Sequence, residues 1–140
     1  MTRIKKSANG TTPFSQLLGH SDSILEKWNA LDGELANGGR LSPELKEQVR
    51  RVLATGNGCT YCQTKGAPVH SPEDIKLSCA MGFAEVFLHE RDQVKDAQFD
   101  ILKEHFSDEE ISELVAFICF TTAQQFFGAL MKLQPVGGTV

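Results

Sequence analysis

The segment Leu41-Ser42-Pro43-Glu44-Leu45-Lys46-Glu47-Gln48-Val49-Arg50-Arg51-Val52-Leu53-Ala54-Thr55-Gly56-Asn57-Gly58-Cys59-Thr60-Tyr61-Cys62 decides the architecture. Ser42 has the right chemistry for an N-cap, Pro43 suits the first helical position, where no N–H is needed, and Glu44 favours the positive end of a helix dipole. Leu45, Val49, Val52 and Leu53 then recur at helical spacing, and Gly56-Asn57-Gly58 stops the run. Cys59 opens the next element. Gly66 favours termination and Pro68 biases Ala67 away from helix, so residues 59 to 65 predict a short helix only.

The same signals repeat outward. Residues 1 to 12 are polar, with Gly10 and two threonines, and predict a mobile arm. Pro13 opens a short turn of helix through Leu18. Ser21 or Asp22 caps a second helix carrying Leu25, Trp28, Leu31 and Leu35, which Asn37-Gly38-Gly39 ends. Downstream, Ser71-Pro72-Glu73-Asp74 repeats the start signal of Ser42. Two helices follow, one through Ile75, Cys79, Phe83, Val86 and Phe87, with Gly82 as a break point, and one through Val94, Phe99, Ile101 and Leu102. Ser107 with Glu110 forms a capping box for a long final helix through Leu114, Ile118, Cys119, Phe126, Phe127, Leu130 and Leu133, ending before Pro135.

No alternating strand pattern occurs, so the expectation is an all-α domain of about six helices over residues 13–135, followed by a tail at 136–140. The final helix, with Phe126 adjacent to Phe127, carries enough apolar surface to suit either the centre of a monomer or a homo-oligomeric interface.

A length of 140 residues and 41% hydrophobic content fit one globular domain. The net charge of −4, from 14 Lys+Arg and 18 Asp+Glu without a long basic run, gives nucleic acid no electrostatic footing. The longest apolar stretch, near Leu114 to Phe120, falls short of the roughly 20 residues of a membrane span, and residues 1–9 lack the apolar region of a signal peptide. No membrane partner and a cytoplasmic location are therefore expected.

In a reducing compartment a close cysteine pair is more often catalytic or metal-binding than a structural staple. Cys59 at a helix start meets unpaired N–H groups that favour a thiolate, and Cys62, three residues on, can close a short disulfide with it. A zinc site built from Cys59, Cys62, His70 and Cys79 is a second reading, and inert packing is a third. Cys79 and Cys119 read as buried core residues. Zinc-protease, phosphate-loop and GxSxG patterns are absent from the sequence.

The runs Leu41-Ser42-Pro43-Glu44-Leu45-Lys46-Glu47, Gly58-Cys59-Thr60-Tyr61-Cys62 and Phe106-Ser107-Asp108-Glu109-Glu110-Ile111 resemble the carboxymuconolactone decarboxylase-like superfamily, in the branch that includes alkylhydroperoxidase D. The resemblance covers roughly Leu17 to Pro135. It implies an all-helical homo-oligomer, a trimer, a hexamer or sometimes a dimer. Its cysteine pair, here Cys59 and Cys62, reduces hydroperoxides without a cofactor and is re-reduced by a dithiol partner such as a lipoyl group or a thioredoxin-like protein. It also implies that the second cysteine, Cys62, meets the peroxide, whereas helix position alone favours Cys59 as the thiolate.

The resemblance assigns a proton-relay glutamate to Glu47, twelve residues before Cys59; its neighbours Lys46, Gln48, Arg50 and Arg51 by themselves suit a solvated helix face. The branch places a histidine four residues after the second cysteine, and here that position is Gly66. His70 is the candidate replacement base, and slow peroxide turnover is expected. The alternatives are a decarboxylase-type lyase, whose chemistry needs no redox pair, and a non-catalytic helical oligomer with a structural disulfide or zinc.

Overall fold

The computed structural model describes residues 1–135; the expected tail at 136–140 lies outside the described residues. Among the described residues the fold consists of seven α-helices and one 3-10 turn, in line with the expected all-α domain of about six helices: α1 Pro13–Leu18, α2 Asp22–Asn37, α3 Pro43–Asn57, α4 Thr60–Gln63, α5 Ile75–Glu90, the turn Arg91–Gln93, α6 Asp96–Lys103 and α7 Asp108–Leu130. There is no strand among the described residues.

Most caps are those the sequence announces. The Ser21, Ser42 and Ser107 hydroxyls each accept a backbone N–H of the first turn, and Ser107 with Glu110 closes a capping box. Two boundaries move. The Ser71-Pro72 signal is not used, because the Asp74 N–H donates to the Ser71 carbonyl in a turn and the Asp74 carboxylate then caps α5 through the Leu77 N–H at 3.0 Å. At the other end α7 stops at Leu130, since Lys132 takes a positive φ of 54° and the Leu133 N–H folds back on the Gly128 carbonyl at 2.9 Å. That fold-back buries Leu133, which the pattern placed on the helix itself.

Helix α3 is the centre. Its stripe of Leu45, Val49, Val52 and Leu53 packs against Ala80, Met81 and Ala84 of α5 on one flank and Leu114, Phe117 and Ile118 of α7 on the other. Val49 and Leu53 are completely buried, and truncating such a leucine costs about 2–5 kcal/mol. Helix α7 has the length and composition of a membrane span, contrary to the expectation from its short uninterrupted apolar run, but its inward face, Ile111, Leu114, Phe117 and Ile118, belongs to this core.

A buried ion pair fixes the loop before α3. Lys46 Nζ lies 2.9 Å from Glu113 of α7 and donates to the Gly38 carbonyl, while Glu113 accepts the Arg40 and Leu41 N–H groups at 2.7 and 3.0 Å. Burial pushes the Glu113 carboxyl up, but the Lys46 ammonium and the two N–H donors outweigh it and hold the group below its ordinary range.

Residues 1–12, expected as a mobile arm, contain no helix but are bonded to the domain. The Arg3 N–H donates to the Met131 carbonyl, its guanidinium to the Leu130 carbonyl, the Ser7 N–H to the Gln16 carbonyl and the Asn9 amide to the Gly19 carbonyl. The N-terminal segment thus lies across the end of α7.

Candidate redox site

Helix α3 ends at Gly58, whose φ of 70° turns the chain so that Cys59 becomes the N-cap of α4. The Cys62 N–H then points at the Cys59 sulfur, 3.3 Å away. Cys59 and Cys62 are joined as a disulfide with their Cα atoms 5.2 Å apart. The two sulfurs differ in access: Cys59 is completely buried, whereas Cys62 is half-buried and lines a cavity of about 770 Å³. Helix α7 closes the site from behind through Gly128, where a Cβ would come within 2.8 Å of the Cys59 sulfur. Only glycine permits that approach.

Glu47 lines the same cavity as Cys62 and is about one-third exposed, so it is neither a fully solvated carboxylate nor an isolated buried one. Arg50, one turn along α3, grips it through Nε and donates from Nη1 to the Cys62 carbonyl at 3.0 Å. One guanidinium therefore ties the carboxylate to the backbone of the cysteine helix.

Behind it runs a buried polar chain. The Gln125 side chain donates to the Arg50 carbonyl at 3.2 Å and accepts from the Asn57 amide at 2.8 Å, and Asn57 accepts from Arg91 at 3.0 Å. This chain links α3, α7 and the end of α5.

Sequence reasoning missed Arg50, Gln125 and Gly128. The Glu47–Arg50 spacing of three was a signal for a helical ion pair, and Gln125 was legible as a polar residue on the register of Ile111, Leu114, Ile118 and Thr121. Gly128 had no signal, because its close neighbour is remote in sequence.

The remaining candidates do not gather here. His70 is exposed in the segment before α5 and is not among the residues lining the cavity. Cys79 is half-buried on α5, where burial first and then the Glu104 carboxylate push its thiol up. Cys119 is exposed, contrary to the expectation of a buried residue, since it lies one position past the buried register of α7. The zinc set of Cys59, Cys62, His70 and Cys79 is likewise not assembled: among the described residues no group of three or more His, Cys, Asp and Glu side chains is placed to hold a metal ion.

Comparison with known proteins agrees on the fold. No family model matches the sequence, and no curated protein matches it. Among solved structures the chain is similar to an uncharacterized peroxidase-related protein from Silicibacter sp. TM1040, with a TM-score of 0.76 and 18% identity over 88% of this chain and 75% of that one. It is also similar to the debrominase Bmp8 in its apo form, with a TM-score of 0.74 and 17% identity over 89% of this chain and 77% of that one. The chain has the carboxymuconolactone decarboxylase-like fold, with a CxxC pair.

Proposed function

We propose that this chain is a thiol-dependent oxidoreductase that reduces hydroperoxides with Cys59 and Cys62. The observation that carries the reading is the unequal access of the two sulfurs: Cys62 faces a cavity that also holds the Glu47 carboxylate, and Cys59 stands behind it with the Cys62 N–H directed at its sulfur.

In the reduced protein the Cys62 thiolate attacks the outer peroxide oxygen. The O–O bond breaks, the alkoxide leaves and takes a proton to become an alcohol, and Cys62 becomes a sulfenic acid. The Cys59 thiol gives up its proton and, as a thiolate stabilised by the Cys62 N–H, displaces the sulfenic oxygen as hydroxide, which takes that proton to leave as water, and the disulfide closes. An external dithiol, of lipoyl or thioredoxin-like type, then returns both sulfurs to thiols through a mixed disulfide. Glu47 is the proton carrier, taking the Cys62 thiol proton and passing it to the leaving alkoxide, and Arg50 holds it facing α4. Gly66 offers no base and His70 is outside the cavity, so turnover is slow compared with an enzyme that has that base.

Reductive removal of bromide is the second reading, favoured by the fold shared with a debrominase. It would consume the same two thiols, giving R–H, bromide, a proton and the disulfide. A lyase would leave the sulfur pair without a role.

The proposal includes a homo-oligomer in the cytoplasm, where thiols are kept reduced. Ala116, Cys119, Ala123, Phe126 and Leu130 are all exposed at alternating spacings of three and four along α7, the pattern of a helix-pairing seam.

The test is hydroperoxide consumption with dithiothreitol as the dithiol. Slow consumption that Cys62→Ser abolishes is expected. Consumption unchanged in Cys62→Ser, or no disulfide formed when peroxide meets the reduced protein, overturns the reading.

A further inference from the structure

The buried polar chain behind the cysteines runs in one direction only. An arginine side chain can only donate and a backbone carbonyl can only accept. Arg91 at one end therefore requires the Asn57 oxygen, 3.0 Å away, and the Arg50 carbonyl at the other end requires the Gln125 nitrogen, 3.2 Å away. The contact between the two amides, at 2.8 Å, then has the Asn57 nitrogen donating to the Gln125 oxygen. Turning over either amide would break two contacts at once, setting donor against donor and oxygen against oxygen. Both residues are more than nine-tenths buried, so water could not repair the loss.

Gln125 thus grips α3 at two points, the Arg50 carbonyl and the Asn57 side chain, seven residues or two turns apart. One turn on from Gln125 along α7 is Gly128, where a Cβ would come within 2.8 Å of the Cys59 sulfur and 3.8 Å of the Cys62 sulfur. Asn57 is the last residue of α3, and only Gly58, with its φ of 70°, separates it from Cys59. The helix that backs both sulfurs therefore also holds the backbone just ahead of Cys59. Between that anchor and Cys59 lie the two soft dihedrals of Gly58.

We propose that Gln125 is a positioning residue for the redox pair: through Asn57, which Arg91 orients, it holds the Gly58 turn so that the reduced Cys59 sulfur stays where Cys62 can close on it. In the oxidised protein the covalent link holds the two cysteines by itself. In the dithiol this seat does so, which lowers the entropy lost on closure and shifts the pair toward the disulfide. The proposal rests on Cys59 and Cys62 opening and closing as a pair, and not on the oxidant being a hydroperoxide.

Equilibration with dithiothreitol tests it. One dithiothreitol passes two electrons and two protons to the protein disulfide, leaving the cyclic oxidised reagent and the Cys59–Cys62 dithiol, so the ratio of the four species is a constant that needs no turnover. Samples held at fixed reagent ratios are quenched in acid, and the reduced fraction of Cys62 is read by alkylation and mass spectrometry. Gln125→Met conserves volume and strands little, because the Asn57 amide keeps the Thr122 hydroxyl at 3.3 Å and the Arg50 carbonyl keeps its place in the helical ladder of α3. The constant is expected to move about tenfold toward the dithiol, about 30 mV for this two-electron couple. A residue that only supports the fold would lower the melting temperatures of the oxidised and reduced forms alike and leave the constant where it was. That outcome, or a shift toward the disulfide, overturns the proposal.

Arg91→Met carries the test should Gln125→Met fail to fold. Its side chain is only half-buried, and its removal frees the Asn57 amide to turn over. A shift of about threefold in the same direction is expected, and an unchanged constant in this variant overturns the proposal. Both shifts, found in a protein whose unaltered form consumes no hydroperoxide, support the role of Gln125 and overturn the hydroperoxide reading.

Discussion

The guanidinium of Arg50 donates to the carbonyl oxygen of Cys62 across 3.0 Å while its Nε holds the Glu47 carboxylate. Two helices joined by the Gly58 turn are thereby fixed relative to each other at the Cys62 backbone and the Glu47 carboxylate. The orientation of Glu47 is a property of this contact, because a free glutamate on α3 would sample rotamers pointing to solvent.

Removing that contact should be felt in rate rather than in folding. In Arg50→Ala, peroxide consumption is expected to fall about ten- to a hundredfold, the scale of a misplacement near 1 Å. Arg50→Lys should not restore it, since one ammonium cannot reproduce two directed N–H donors. Steady-state kinetics beside a thermal melt check both statements.

The four cysteines should label in a defined order. After reduction, Cys62 and Cys119 are expected to react with iodoacetamide first, Cys79 more slowly because burial and Glu104 raise its thiol pKa, and Cys59 last because it is completely buried. Raising the pH should accelerate Cys79 as its raised thiol ionises. Peptide mapping over a pH series gives the ranking, and Cys59 labelling ahead of Cys62 would reverse the assigned roles.

Acid should loosen the fold through Glu113. Its folded pKa is lowered from the ordinary 4.5, so its contribution is complete above about pH 4.5 and is lost as pH falls through the folded value. Glu110 shifts the same way, chiefly through the Ser107 N–H. Urea unfolding from pH 7 to pH 3 should show stability falling at the acid end, and Glu113→Gln should flatten that fall. At pH 7, Glu113→Ala leaves the Lys46 ammonium buried without its partner, a loss of about 3–5 kcal/mol.

His70→Ala should change little. The side chain is exposed and outside the cavity, so both the peroxide rate and the pH profile are expected to match the unaltered protein, with stability within about 0.5 kcal/mol. A sharp loss of rate would return His70 to the site.

The apolar seam of α7 offers a separate check on assembly. Leu130 is 64% exposed, and Leu130→Glu should leave the monomer folded while lowering the mass measured by light scattering. An unchanged mass would place any interface elsewhere.

Much of this protein is legible in the sequence because its signals are local. Serine caps, Pro43, the Gly58 stop and the 3.6-residue stripe of α3 each act within a turn or two, so helix positions and the Cys59–Cys62 pair follow from neighbours in the chain. Where two local signals compete, as Ser71 and Asp74 do ahead of α5, the turn that satisfies more backbone groups prevails, and the sequence does not rank them.

What the tertiary structure alone decides lies across long separations. It puts Gly128 against the Cys59 sulfur, Gln125 on the Arg50 carbonyl, Phe14 in the wall of the Cys62 cavity and His70 outside it. Periodicity names the buried face of a helix but not the partner it meets. Whether a carboxylate is solvated or a cysteine is reachable depends on that partner, and so on how α1, α3 and α7 pack.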